Sequence, residues 1–245
     1  MNTAQNTASV VVSAAGSLSN SGTLVLLSGT MPATPETALA GNTTLATATY
    51  SATAFGAPTF IGADMQATAS FTANINPVAN GSCTFARHYK SDGTTVIADY
   101  RVGSAWIASN VTAVGQYCTN GGNTYKCTTA GTTAASGGPT GTAAGIVDGT
   151  VTWNYVGSVS DTWVASTVYA ANVAVAKGGN WYIAAIGGTS AASGGPSGKG
   201  NDIVDGTVHW NYVGPVGFFD LTMGNCNVQV GTAVTVTQTL EAAAA

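Results

Sequence analysis

Along much of this chain, apolar and polar residues alternate one by one. The run 207–213 shows it best: His209, Asn211 and Val213 fall on one side, and Val208, Trp210 and Tyr212 on the other. Such period-two alternation places successive side chains on opposite faces of an extended strand. Stretches 23–27, 44–50, 66–72, 83–89 and 94–100 are β-rich and bounded by Gly, Asn, Pro or Asp, which predicts five more strands. Ser91-Asp92-Gly93 predicts the hairpin turn joining the last two. Segments 218–223, 227–230 and 233–240 resume the same pattern near the end. No segment shows convincing helical periodicity, and 5–12 and 241–245 read as arms or tails.

The aromatic residues divide the chain. All five tryptophans lie between residues 105 and 215, and all six phenylalanines lie outside that window. Two different cores are implied, the second inserted into the first. Within the window, a constant shift of 57 residues aligns 106–157 with 163–214 without a gap, and 29 of the 52 aligned positions are identical. A period above about 50 residues describes small folding units rather than solenoid rungs. Each copy reads as short strands and turns. Strands 168–176 and 181–186 flank a turn at 177–180 whose two glycines permit positive φ. A Gly-Ser-Pro loop, 188–201, follows, and Asp205-Gly206 turns the chain into the last strand. The expectation is an all-β protein with a β-sandwich or jelly-roll-like base domain and two tandem small β modules inserted in a loop. Its boundaries fall at 1–103 (base, first part), 104–159 (first module), 160–215 (second module) and 216–245 (last base strands and tail).

Composition narrows the function. Charged residues make up 7% of the chain, against roughly 25% in an average soluble protein, so hydroxyls and amides must carry its solubility. That composition suits proteins packed in large assemblies or living outside cells. A net charge of −4 with six scattered basic residues argues against nucleic acid. Arg87, Lys90 and Arg101 are the nearest approach to a basic cluster, and surface roles are expected for them. Val10–Val12 is too short for a signal-peptide core, and no stretch approaches the ~18 apolar residues of a membrane helix. A leaderless product synthesised in the cytoplasm, with no membrane insertion, is expected.

Catalytic chemistry finds little purchase. His88 and His209 sit on different domains without metal-ligand partners at useful spacing, so structural roles are expected, and no metal or cofactor. Asp148 and Asp205 precede glycine and read as turn aspartates bonding backbone amides; a shallow Ca²⁺ site would want more oxygen ligands nearby. No nucleophile elbow or phosphate loop appears, so no enzyme is expected. Cys118 and Cys127 face each other across a hairpin and become Val175 and Ala184 in the second copy. They are either buried free thiols or a cross-strand disulfide; Cys83 and Cys226 read as lone core residues. Aromatic rings can stack on sugars, which makes Trp106, Tyr125, Trp153, Tyr155, Trp163, Tyr169, Trp181, Tyr182, Trp210 and Tyr212 the candidate glycan contacts. Core packing competes for at least half of them. Trp181 and Tyr169 replace Thr124 and Thr112 of the first copy and are expected to be the most exposed.

Two resemblances extend this reading. The run from Thr162-Trp163 to Tyr169, with Val173 to Val175, Gly178-Gly179 and Trp181-Tyr182, is similar to the start of small chitin-binding modules. Asn172 stands at that family's usual glycine, whereas the first copy keeps Gly115 but has Thr112 for the tyrosine. The resemblance implies a small β fold with a glycan-facing surface. The longer pattern, the GGP loop followed by IVDGTV-x-WNYVG, looks like modules of tailed-phage virion proteins. Thr23 to Pro32, Leu45-Ala46-Thr47, Asn80 to Arg87, Asp220-Leu221 and Gly231 to Val234 resemble a tailed-bacteriophage structural family. That resemblance implies a capsid decoration or cement protein on the outer capsid surface of the virion. Its expected partners are the major capsid protein and further copies of itself, as a homotrimer, with polysaccharide reached by the modules. A tail-fibre or receptor-binding protein recognising host carbohydrate is the alternative, and a secreted carbohydrate-binding protein the third reading.

Overall fold

A computed structural model of the protein describes residues 3–61, 64–158, 163–178, 180–198, 200–215 and 220–243. Strands dominate it, and the fold is all-β apart from one helix. The base sheet runs Thr239–Ala243, Asp64–Phe71, Thr43–Phe55, Thr23–Ser28, Phe85–Tyr89 and Val96–Ala105 in spatial order, each pair antiparallel. Alternation does its work in Thr23–Ser28, where Leu24 and Leu26 are buried and Thr23 and Val25 are not. A register shift at Leu26/Leu27 leaves Leu45 as the extra residue of a bulge on the neighbouring strand. The core gathers Leu24, Leu26, Leu45, Tyr50, Val102, Leu221 and Met223, among others. The predicted hairpin turn is present: Asp92 accepts the amides of Thr94 and Thr95 at 2.8 Å, and Gly93 adopts φ +69°.

Both predicted tails contribute to regular elements among the described residues, 5–12 to a helix and 241–243 to a strand. Residues 3–17 form the helix Thr3–Ser17, which packs on the strands Asp64–Phe71 and Thr239–Ala243. Its inward stripe includes Val12 and Gly16; a Cβ on Gly16 would stand 3.1 Å from Phe55 Cβ. Val10 and Val11 face outward, so the apolar residues do not follow a helical period, and the helix is invisible to periodicity. Glu241, read as tail, instead pairs with Gln66 in the sheet.

The expectation of exposed basic residues also fails at Arg87. Its guanidinium is 3% exposed, grips Asp99 through two 2.7 Å contacts and donates to the Thr37 carbonyl at 3.0 Å. Register explains it, because Arg87 and Asp99 are direct partners across the hairpin.

The insert leaves and re-enters the base at one place. Val102 and Gly103 pair in parallel with Leu221 and Thr222. From there Val96–Ala105 runs on, and its end pairs in parallel with Tyr117–Asn120 of the first repeat. The first repeat therefore extends the base sheet with Tyr117–Asn120, Asn123–Thr129, Val151–Ser158 and Ile146–Asp148. Gln116 reinforces the join by donating to the Cys83 carbonyl at 2.9 Å. The second repeat builds the same four strands, Ala174–Lys177, Asn180–Ile186, Val208–Pro215 and Ile203–Asp205, as a sheet of its own. Their pairing matches the first repeat residue for residue, including two register shifts.

Candidate functional site

The repeats carry the candidate residues, and their construction decides which can meet a ligand. In the first, Asn120 and Asn123 pair across Gly121 and Gly122, at φ +56° and +77°, the geometry of a tight two-residue hairpin. Asn123–Thr129 then aligns against Val151–Ser158, bringing Tyr125 beside Tyr155. These two rings meet edge-on at 6.2 Å, and Tyr182 with Tyr212 repeats the contact at 5.9 Å.

At the centre of each repeat is one carboxylate. Asp148 Oδ2 accepts the indole N–H of Trp106 at 2.7 Å and of Trp153 at 3.0 Å, while Oδ1 accepts the Ala134 amide at 3.0 Å. Asp205 does the same with Trp163 at 2.6 Å, Trp210 at 2.9 Å and Ala191 at 3.0 Å. Both aspartates are 4% exposed. A buried carboxylate needs such donors to offset lost hydration. The turn-aspartate expectation is thus right about a backbone amide and misses the two indoles.

The Gly-Ser-Pro loop lies over the first tryptophan of each repeat. A Cβ on Gly195 would stand 2.8 Å from the Trp163 ring, and one on Gly138 2.9 Å from that of Trp106. Lys177 adds its ammonium 4.8 Å from the Trp163 ring centroid. The same loop accepts the Tyr125 hydroxyl at the Gly141 carbonyl (3.1 Å) and that of Tyr182 at Gly198 (3.0 Å).

These contacts correct much of the glycan-contact set. Tyr125, Trp153, Tyr182 and Trp210 are fully buried, Tyr212 nearly so, and Trp163 and Tyr169 are 9% exposed. A ring so enclosed has no face to offer a sugar. Tyr169, expected to be among the freest, packs edge-on against Trp210 at 5.1 Å, and its hydroxyl accepts the Val164 amide. Trp106 and Tyr155 are half-buried. The Trp181 side chain lies outside the described residues; its backbone pairs with Ala176.

Cys118 and Cys127 are free, buried thiols, the first of the two states expected. Register again gives the reason: Cys118 lies opposite Tyr125 and Cys127 opposite Trp153, so the two are offset. Burial raises both thiols, Cys127 to about 11. Cys83 and Cys226 are buried too, joined by a backbone hydrogen bond of 2.7 Å.

His88, 1% exposed, stacks 4.7 Å from Tyr50, and burial lowers its pKa to about 4. His209 bonds Asp202 at 2.6 Å on the surface of the second repeat. Among the described residues, no three His, Cys, Asp or Glu gather where they could hold a metal ion, and no helix is long and apolar enough to cross a membrane. Comparisons with protein-family models, with curated proteins and with solved structures find no match. Fold and site together define a class: an all-β protein whose insert consists of two carboxylate-centred aromatic modules.

Proposed function

We propose that this protein is a structural component of a tailed-phage virion, a decoration protein seated on the major capsid protein. Its base provides the seat, its modules face outward, and it adheres to glycans and acts without catalysis as a homo-oligomer, a trimer. The observation that carries this reading is the single junction at which the insert leaves and rejoins the base, Val102 and Gly103 beside Leu221 and Thr222. An anchoring domain with its additions gathered at one point suits a protein that sits on a surface and projects from it. The hydroxyl-rich, sparsely charged composition supports the same reading, because a chain with 7% charged residues packs against identical neighbours with little repulsion. The resemblance of the base strands and repeats to tailed-phage virion proteins supports it independently.

Quantitative mass spectrometry of purified particles, with electron microscopy of antibody-labelled virions, tests the reading. Hundreds of copies distributed over the head support it. A few copies at the tail tip would replace it with the receptor-binding alternative.

A further inference from the structure

The module aromatics are largely spent on packing, so a ligand surface must be sought elsewhere. A groove of about 450 Å³ opens where the first repeat meets the returning base segment, within the size range of small-molecule sites. One wall is the turn carrying Ser109 and Asn110, and residues 224–235 supply the other. The first wall is fixed: Ser109 N–H donates to the Ala134 carbonyl at 3.0 Å, and Asn110 N–H to Thr133 Oγ1 at 2.8 Å. The walls are tied together by Asn225 Nδ2, which donates to Asn110 Oδ1 at 3.2 Å.

Its chemistry is uniform. No residue lining the groove is charged. Val234, half-buried, gives it one apolar side chain above the buried Val228, and Asn227, Gln229 and Thr235 present amides and a hydroxyl. The side-chain amides of Asn227 and Gln229 have no partner within the described chain. Each such amide donates and accepts at once, as does a sugar hydroxyl. An anion or cation would lose hydration here without an opposite charge to replace it. The C–H face of a pyranose, by contrast, would rest on Val234.

We infer that this groove binds an uncharged oligosaccharide. The inference deepens the adhesion part of the proposed function and moves it from the modules to the junction. The second repeat makes a separate sheet and contributes no residue to this groove. Binding here therefore saturates at one site per chain, whereas binding by the repeated aromatics would saturate at two.

The full chain, labelled with ¹⁵N, can be titrated with maltohexaose, cellohexaose, chitohexaose and mannohexaose, with sialyllactose and an oligogalacturonate as charged probes. The expected result is a shift of the Asn227 and Gln229 side-chain amide signals by at least one neutral probe, at one site per chain. The double variant N227A/Q229A should weaken that binding at least tenfold. The inference is overturned if no neutral probe shifts those signals, if two sites fill, if the variant binds unchanged or if the charged probes bind equally well. Copy number on the head is read separately, so failure here leaves the decoration reading standing or falling by its own measurement.

Discussion

Arg101 and Asp220, 119 residues apart in sequence, hold each other by side chain and backbone together. The Arg101 guanidinium meets both carboxylate oxygens at 3.0–3.1 Å, its amide donates to Oδ2 at 2.8 Å, and Asp220 N–H returns a 2.9 Å bond to the Arg101 carbonyl. The pair sits beside the parallel pairing of Val102 with Leu221 and closes the base beneath its insert.

Replacing Asp220 with Ala should loosen that closure. Both side chains are over a third exposed, so the ion pair itself contributes about 1 kcal/mol or less, and the lost amide acceptor adds roughly 1 kcal/mol. Hydrogen exchange should quicken at Arg101 and Leu221 while the second repeat keeps its protection. Unchanged exchange at both positions would show that the strand pairing suffices.

Asp205→Ala should destabilise the second repeat by about 3 kcal/mol or more, because two indole N–H groups and one amide lose their acceptor together. Asp205→Asn, keeping one carbonyl oxygen, should fall between the variant and the parent. Chemical unfolding followed by tryptophan fluorescence reads the order. Equal stability of all three proteins would remove the carboxylate from its central place.

Two adjacent glycines separate strain from crowding. Gly194 and Gly195 both have positive φ, +89° and +75°, but a Cβ on the first meets nothing within 4 Å and on the second meets Trp163. Alanine at 194 should cost about 1 kcal/mol for its backbone alone. Alanine at 195 should cost roughly 1–3 kcal/mol more as loop and ring are forced apart. Thermal melts of the two variants should differ by several degrees.

His88 makes stability depend on pH in a defined direction. Its pKa falls from 6.5 to about 4 on folding because burial disfavours the charged ring. Between those values the unfolded chain binds the proton more readily, so stability is highest above about pH 6.5 and declines toward pH 4. The full loss from this group is roughly 3 kcal/mol. Its neighbours Tyr50 and Tyr100 are both pushed upward by burial and stay neutral over this range. His88→Phe should flatten the urea midpoint between pH 4 and 6.5, and an unchanged slope would assign the dependence to carboxylates.

Much of this architecture is legible in the sequence, and what escapes does so for physical reasons. Strand alternation and the Asp92-Gly93 turn follow from local pattern. The Arg87–Asp99 pair was readable in principle, since both stand six residues from the turn at Gly93. The bonds from Trp106 to Asp148 and from Trp163 to Asp205 each span 42 residues. Only the retention of Trp, Asp and Trp at matching places in both copies hinted at them. That same retention made the rings look like a repeated binding surface. The helix Thr3–Ser17 gave no hint because its apolar residues face both ways.

The closeness of exit and return has a hereditary consequence. The first repeat is bonded into the base sheet, whereas the second builds a sheet of its own and adds no strand to the base. A 57-residue unit of that second kind is a countable cassette: unequal recombination can add or delete such a copy while the strands of the base keep their pairing.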